Sequence, residues 1–189
     1  MPKVVIGIQA RSGSQRLPRK AFELIGGRTM LDRVIDSCNK ASIRIERDSN
    51  KCSVVVLTPE NDPIVKEFSN RVDILEGPEH DVLSRYAMLL GKYAPDFVVR
   101  ITGDCPFIPH AIIAYMTGIA VKNRYDYFSN ADERFRTSID GSDCEIFSKR
   151  MLEYANESAR KNYDREHVTT FMRQSPPHLG CKRDSHKPL

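Results

Sequence analysis

The sequence predicts an α/β protein with a mostly parallel central sheet and helices on both of its faces. Short apolar runs rich in β-branched residues, typical of buried strands, occupy residues 4–10, 53–58, 72–77 and 97–102. Stretches with apolar residues at helical spacing lie between these runs. Because strands that alternate with helices are joined by crossover connections, we expect them to run parallel.

Each intervening stretch carries a helix signal. Residues 29–41 and 81–94 each place apolar side chains on one helical stripe. Residues 61–71 begin with an Asn or Asp that can cap a helix, followed by Pro63 in the first turn. A fourth helix is predicted over residues 109–123, which completes the alternation.

The last third of the chain has a different pattern. Strands are predicted at 125–130 and 143–148, with a polar loop between them. Two helical stretches follow, over residues 149–159 and 164–174, and Asp164 is the predicted N-cap of the second.

Length and composition indicate one globular domain. The 189 residues are 40% apolar and 29% charged, which suits a single domain over 1–175 followed by a polar tail over 176–189. The net charge of +4 permits an anionic ligand, but the mixed charges do not favour a nucleic-acid partner. Five cysteines without a CxxC pair, and no secretory leader or membrane span, predict reduced thiols and a cytoplasmic protein.

The loop after the first strand, IQARSGSQRLPRK, is the strongest candidate for a binding site. It carries four cations within ten residues: Arg11, Arg16, Arg19 and Lys20. Gly13, with the small Ser12 and Ser14, allows backbone N–H groups to converge on an anion. Ligands of such sheets bind at the carboxyl ends of strands, so the loop predicts a polyanion, most simply a triphosphate. The alternative is a solvated basic loop, because neither GxxxxGK[ST] nor GxGxxG is present.

Two further motifs follow predicted strands. Asp104 comes after the fourth strand and Gly103, where one carboxylate can hold Mg²⁺ together with substrate phosphates, or can simply cap a turn. In EGPEHDVLSRY, Asp81 and Arg85 are four residues apart, so they either form a helix cap and a surface pair or shape a pocket wall.

Acidic residues cluster near the second pair of strands. Asp140, Asp143 and Glu145 lie in SIDGSDCEIFS, and strand alternation puts Asp143 and Glu145 on one face. They either border a cleft, where they can hold a metal or sugar hydroxyls, or form the solvent face of an edge strand.

The order of these motifs resembles the cytidylyltransferase family of spore-coat polysaccharide biosynthesis, which is related to the CMP-Kdo and CMP-acylneuraminate synthetases. The resemblance covers about residues 4–173 and is carried by IQARSGSQRLPRK, EGPEHDVLSRY, VVRITGDCPFI, YDYFSN, DGSDCEIFS and REHVT. It implies a Rossmann-like nucleotidyltransferase fold and Mg²⁺-dependent transfer of CMP from CTP to an acidic sugar or a phosphonate-type acceptor. Pyrophosphate release and a role in surface polysaccharide or glycan precursor synthesis are also implied. Related synthetases are often homodimers.

The resemblance also implies roles for single residues. Three are expected to be catalytic: Arg11, Lys20 and Asp104, the last as the metal ligand. Ten are expected to bind the nucleotide: Ala10, Arg11, Ser12, Gly13, Ser14, Arg16, Lys20, Asp81, Arg85 and Thr102. Seven are expected to face the acceptor: Asn130, Asp140, Asp143, Glu145, Arg165, Glu166 and His167.

The sequence departs from the family pattern at three places. Arg19 stands where the family usually has Gly, and Pro109-His110 stands where an acid is common. Related enzymes continue into an acidic VDTPED-like segment that supplies a second metal ligand, whereas this sequence ends at Leu189. Either Asp140 or Asp143 substitutes for that ligand, or metal binding is weakened. The alternative to an active enzyme is a shortened, catalytically impaired homologue that binds CTP as a partner of another biosynthetic enzyme. A glycosyltransferase is less favoured, because GDCP is not a DxD motif.

Overall fold

The computed structural model describes residues 1–13, 17–48, 50–131, 139 and 141–174, and the backbone of 183–185. Within these residues, nine strands are present: β1 Lys3–Gln9, β2 Leu24–Ile25, β3 Arg28–Thr29, β4 Lys51–Pro59, β5 Asp73–Gly77, β6 Phe97–Thr102, β7 Tyr127–Ser129, β8 Glu145–Ser148 and β9 Arg183–Ser185. A 3-10 turn covers Lys20–Phe22. The helices of the same residues are α1 Met30–Arg47, α2 Pro63–Phe68, α3 Val82–Tyr93, α4 His110–Asn123, α5 Lys149–Ser158, α6 Asn162–His167 and α7 Thr169–Gln174.

Seven strands form the central sheet, in the order β5-β4-β1-β6-β8-β7-β9. The first four strands in this order are parallel, as the alternation of strands and helices predicts. Strand β8 is antiparallel to both β6 and β7, while β9 is parallel to β7. The predicted α/β class with a mostly parallel sheet is confirmed, although the sequence analysis did not predict β9.

Helices cover both faces of the sheet and enclose two apolar layers. One layer joins the sheet to α1, α2 and α4, through residues such as Ile35, Phe68 and Ile113. The other joins it to α3, α5 and α7, through residues such as Leu83, Met151 and Met172. Two helix starts agree with the sequence: Asp62 caps α2 ahead of Pro63, and Asp81 caps α3.

The prediction of a last helix over residues 164–174 is wrong in two respects. The stretch 164–174 is not continuous, because α6 ends and α7 begins around Val168, a buried β-branched residue with φ 60°. Asp164 is not an N-cap but lies inside α6, and its Oδ1 accepts a hydrogen bond from Thr170 Oγ1 at 2.7 Å. The side chain of Asp164 therefore ties the two short helices together.

Strand β8 corrects a second expectation. It lies between β6 and β7 inside the sheet, so it is not an edge strand with a solvent face. Glu145, its first residue, is only 1% exposed. Among the described residues, no helix is long and apolar enough to span a bilayer, and the four cysteines there are free thiols.

Candidate functional site

Two of the predicted site residues are in direct contact at the carboxyl edge of the sheet. Lys20 Nζ lies 2.9 Å from Asp104 Oδ2, and the two side chains are 31% and 48% exposed. The contact joins the loop that follows β1 to the loop that follows β6. Burial raises the pKa of Asp104, but hydrogen bonds from Lys20 and Thr102 outweigh it, so this pKa lies below its ordinary value. Asp104 is thus an ionised carboxylate at neutral pH.

The ends of β1 and β6 approach each other closely at Gly103. The Gly103 N–H donates to Gln9 O at 2.8 Å. A Cβ on residue 103 would lie 2.9 Å from Ala10 Cβ and 3.1 Å from Gln9 O. Only glycine fits this approach without displacing backbone, so Gly103 sets the spacing between Ala10 and Asp104.

The substitution Gly103→Ala is expected to lower the free energy of unfolding by about 1–3 kcal/mol, because the methyl group overpacks against Ala10. Gly91→Ala is the matched control, since a Cβ at residue 91 in α3 has nothing within 4 Å. There the helix propensity of alanine is expected to stabilise the protein by about 0.5–1 kcal/mol. Urea denaturation of both variants checks this, and equal effects would contradict it.

The backbone after β1 is fixed by an acid that the sequence analysis did not place in the site. Ser12 donates from its N–H and from its Oγ to Asp62 Oδ2, at 2.9 and 3.0 Å. Asp62 Oδ1 accepts the Ile64 N–H that begins α2. Because the Ser12 N–H is bonded to Asp62, it is not available to the anion that this loop is predicted to bind. Asp62 was identified only as a helix cap, because nothing local in the sequence signals a contact 50 residues away.

The opening of α3 and helix α6 are joined beside this loop. Arg165 Nε donates to Asp81 Oδ2 at 2.7 Å, and its Nη atoms bind Asn156 and the Ala159 carbonyl. Glu166 lies 4.0 Å from Arg11, which brings α6 to the phosphate-loop candidate. The exposed His167 contacts the Tyr163 ring at 4.3 Å between centroids.

Two other nucleotide candidates differ in their exposure. Thr102 is partly exposed at the end of β6, with its Oγ1 3.0 Å from Cys105 Sγ. Arg85 is 1% exposed, and its Nε and Nη1 have no hydrogen-bond partner. Burial lowers the pKa of this guanidinium below its ordinary value.

Glu145 is the centre of a buried polar network. Its carboxylate accepts hydrogen bonds from Arg100, Arg173 and the Tyr127 hydroxyl. Arg100 also donates to Gln9 Oε1 at 3.1 Å, and Arg173 Nε donates to Tyr127 Oη at 3.0 Å. Although burial raises the pKa of Glu145, the two arginines lower it to about 2.

The side chain of Asn130 has a structural contact at each end. Its Nδ2 donates to Ser142 O at 2.9 Å, and its Oδ1 accepts from Cys144 N at 2.8 Å. Asp143 is partly exposed next to these residues. Predicted site residues Ser14, Arg16 and Asp140 lie outside the described residues.

The comparison with known families decides the assignment. The profile of a family described as Cytidylyltransferase matches residues 4–188.

The chain belongs to this cytidylyltransferase family.

Relatives and a solved structure agree with this. This cytidylyltransferase family member is 22% identical to the spore coat polysaccharide biosynthesis protein SpsF of Bacillus subtilis, over 93% of this chain and 72% of that one. It is 26% identical to 3-deoxy-manno-octulosonate cytidylyltransferase of Rickettsia prowazekii, over 74% of this chain and 56% of the relative. A cytidylyltransferase structure from Leptospira borgpetersenii superimposes with a TM-score of 0.85 at 30% identity, over 100% of this chain and 77% of the other.

The described residues of this cytidylyltransferase family member fit a magnesium ion that is bound jointly with substrate phosphates. No three His, Cys, Asp or Glu side chains in the described part of the chain form a metal-binding group. Asp104 is an exposed, ionised carboxylate beside Lys20. Magnesium is commonly held by one or two carboxylates together with substrate phosphates and water, so Asp104 fits that mode once a triphosphate is present.

Proposed function

We propose that this chain transfers CMP from CTP to an acidic sugar or phosphonate-type acceptor and releases pyrophosphate. The observation that carries the proposal is the 2.9 Å contact between Lys20 and Asp104, which brings a cation and an ionised carboxylate together at the carboxyl edge of the sheet. Family membership supports CTP as the substrate. The similarity to SpsF supports a place in surface polysaccharide or glycan precursor synthesis.

In this proposal the basic groups bind and stabilise the triphosphate. An acceptor oxygen attacks the α-phosphorus, and the proton it carries passes to solvent. The bond from the α-phosphorus to the bridging oxygen breaks, and pyrophosphate leaves with the electron pair. Lys20 and Arg11 lie on the loop after β1, where their charges stabilise the leaving group. A protein nucleophile is not required, because the acceptor attacks directly.

Lys20 then exchanges partners as the nucleotide binds. In the structure its ammonium group neutralises Asp104. Once phosphates contact Lys20, Asp104 loses this ion-pair partner, and it is the carboxylate that would hold Mg²⁺. The ion supplies positive charge that polarises the phosphoryl group when it is bound.

The acceptor is proposed to bind at the carboxyl edge of the sheet, near α6 and the loop before β8. Glu166, His167 and Asp143 have exposed or partly exposed side chains there. The other three described acceptor candidates already bind protein groups, so in this proposal they hold these elements in position: Arg165, Asn130 and Glu145.

A two-part experiment tests the proposed function. Thermal-shift measurements with CTP, UTP, GTP and ATP, each with and without Mg²⁺, are expected to show the largest stabilisation for CTP with Mg²⁺. Pyrophosphate release is then measured with CTP and a set of octulosonates, nonulosonates and phosphonates. Binding of CTP without release from any acceptor would contradict catalysis and favour a binding-only partner, and the absence of CTP binding would contradict both.

A further inference from the structure

The carboxylate of Asp62 joins two elements through its two oxygens. Oδ1 accepts the Ile64 N–H at 3.0 Å and so caps α2. Oδ2 accepts both the Ser12 N–H at 2.9 Å and the Ser12 hydroxyl at 3.0 Å. Asp62 is only 8% exposed, so one buried side chain ties the backbone that follows β1 to the start of a helix.

Ser12 extends this anchor to the other side of the loop. Its carbonyl oxygen accepts the Arg19 N–H at 3.0 Å, so the chain that leaves at Ser12 is joined to the chain that returns at Arg19. The N–H, the hydroxyl and the carbonyl of Ser12 are therefore all bonded to protein groups. In this arrangement Ser12 closes the loop.

The backbone of Arg19 is held in an unusual conformation at this closure. Its φ of 59° and ψ of 26° lie in the left-handed region, where a residue with a side chain stays only when its surroundings hold it. The bond to the Ser12 carbonyl is one such contact, and the Arg19 guanidinium over the Phe22 ring at 4.7 Å is another. Phe22 lies 5.9 Å from Phe68 between ring centroids. Helix α2 therefore supports this turn at both of its ends, through Asp62 and through Phe68.

We propose that Asp62 is a positioning residue for Lys20, an inference that rests on the proposed function. Lys20 directly follows Arg19, and its Nζ lies 2.9 Å from Asp104 Oδ2. A catalytic group that is misplaced by about 1 Å can cost about 100-fold in rate. The bonds from Asp62 through Ser12 and Arg19 give the backbone of Lys20 a fixed place, although Asp62 itself does not contact the reacting groups in this proposal.

The variant Asp62→Ser tests this role, because serine caps helices as well as aspartate but has no second oxygen for Ser12. Asp96→Ser is the matched control, since Asp96 Oδ2 accepts the Lys3 N–H at 2.7 Å at the other end of β1. Both variants are expected to have melting temperatures about 2–8 °C below the wild type. Only Asp62→Ser is expected to speed hydrogen exchange of the Ser12 amide.

A double-mutant cycle with Lys20→Met separates positioning from a general loss of structure. Asp62→Ser is expected to lower kcat/KM for CTP about 10- to 100-fold when Lys20 is present. In the Lys20→Met background the same change is expected to cost less than about 2-fold, because its effect is exerted through Lys20. Asp96→Ser is expected to leave kcat/KM unchanged in both backgrounds. Calorimetric titration with inorganic tripolyphosphate is expected to show the same pattern in its affinities.

Three results would overturn the proposal. They are losses that multiply in the double variant, wild-type kcat/KM and tripolyphosphate affinity in Asp62→Ser, and unchanged exchange of the Ser12 amide. Asp62→Asn, which is closer to aspartate in size, is a second variant with the same expected results. If the wild type binds tripolyphosphate but releases no pyrophosphate from CTP, the proposed function has failed, and the binding cycle decides the role of Asp62. A wild type that does not bind tripolyphosphate contradicts both.

Discussion

Replacing Lys20 by Met, or Asp104 by Asn, is expected to lower the rate of CTP-dependent pyrophosphate release about 100- to 1,000-fold. In the proposed reaction Lys20 stabilises the charge that develops on pyrophosphate, and Asp104 is the carboxylate proposed for the metal. Because both side chains are substantially exposed in their pair, the free energy of unfolding is expected to fall by less than about 1 kcal/mol. Initial rates and urea denaturation measure the two effects separately.

The same two variants distinguish the phosphate-binding role proposed for Lys20 from the metal-binding role proposed for Asp104. Lys20→Met is expected to weaken CTP binding with and without Mg²⁺, because the ammonium is proposed to contact phosphate directly. Asp104→Asn is expected to bind CTP normally without Mg²⁺ but to lose the additional affinity that Mg²⁺ confers on the wild type. Calorimetric titration in magnesium and in chelator separates these outcomes.

Lys149 and Glu153 provide matched controls, because they form an exposed pair at 3.6 Å on α5. Lys149→Met and Glu153→Gln are expected to leave both CTP binding and turnover unchanged. Turnover near the wild-type rate in Lys20→Met would exclude Lys20 as a catalytic group. If both Lys20→Met and Lys149→Met lose turnover to the same extent, the loss is not specific to Lys20 and this also contradicts the prediction.

The part of the fold that local pattern determines was predictable. Buried parallel strands appear as continuous apolar runs, and Asp62 and Asp81 cap helices at positions that short-range rules identify. The loop up to Lys20 and the loop at Asp104 were each predicted to follow a strand of the parallel sheet, and the carboxyl ends of parallel strands share one edge. Their contact at 2.9 Å agrees with that reasoning.

Contacts between distant parts of the chain were not predictable in this way. Ser12 binds an acid 50 residues away, and Glu145 binds an arginine 45 residues earlier. Strand alternation assigned Glu145 to a face but gave no information on which strands flank β8. The break at Val168 was also missed, because the apolar pattern of 164–174 continues through it and the unusual backbone depends on tertiary packing.

The network around Glu145 connects the antiparallel half of the sheet to the parallel half, whose carboxyl edge carries the Lys20–Asp104 pair. Arg100 joins it to β6, Gln9 extends it to β1, and Arg173 anchors α7. The carboxylate is 1% exposed and accepts from two guanidinium groups and one hydroxyl. An amide at residue 145 keeps the shape but leaves the largely covered Arg100 and the partly exposed Arg173 without this counter-charge.

Glu145→Gln is therefore expected to lower the free energy of unfolding by about 3–5 kcal/mol at pH 7. The pKa of Glu145 falls from 4.5 to about 2 in the folded protein, so its contribution is fully present above the unfolded pKa and is lost as the pH falls toward 2. The difference between wild type and variant is expected to shrink by about 3 kcal/mol between about pH 5 and pH 2. Urea denaturation across this pH range measures it.

Because other carboxylates titrate over the same range in both proteins, only the difference between them reports on Glu145. Glu153→Gln is the control, since its exposed pair with Lys149 contributes at most about 0.5 kcal/mol. A wild-type-to-variant difference that stays constant from pH 7 to pH 2 would show that Glu145 is not held ionised by Arg100 and Arg173. A difference from the wild type that shrinks for Glu145→Gln but not for Glu153→Gln would establish an ion-pair network that couples α7 to β6 and β8.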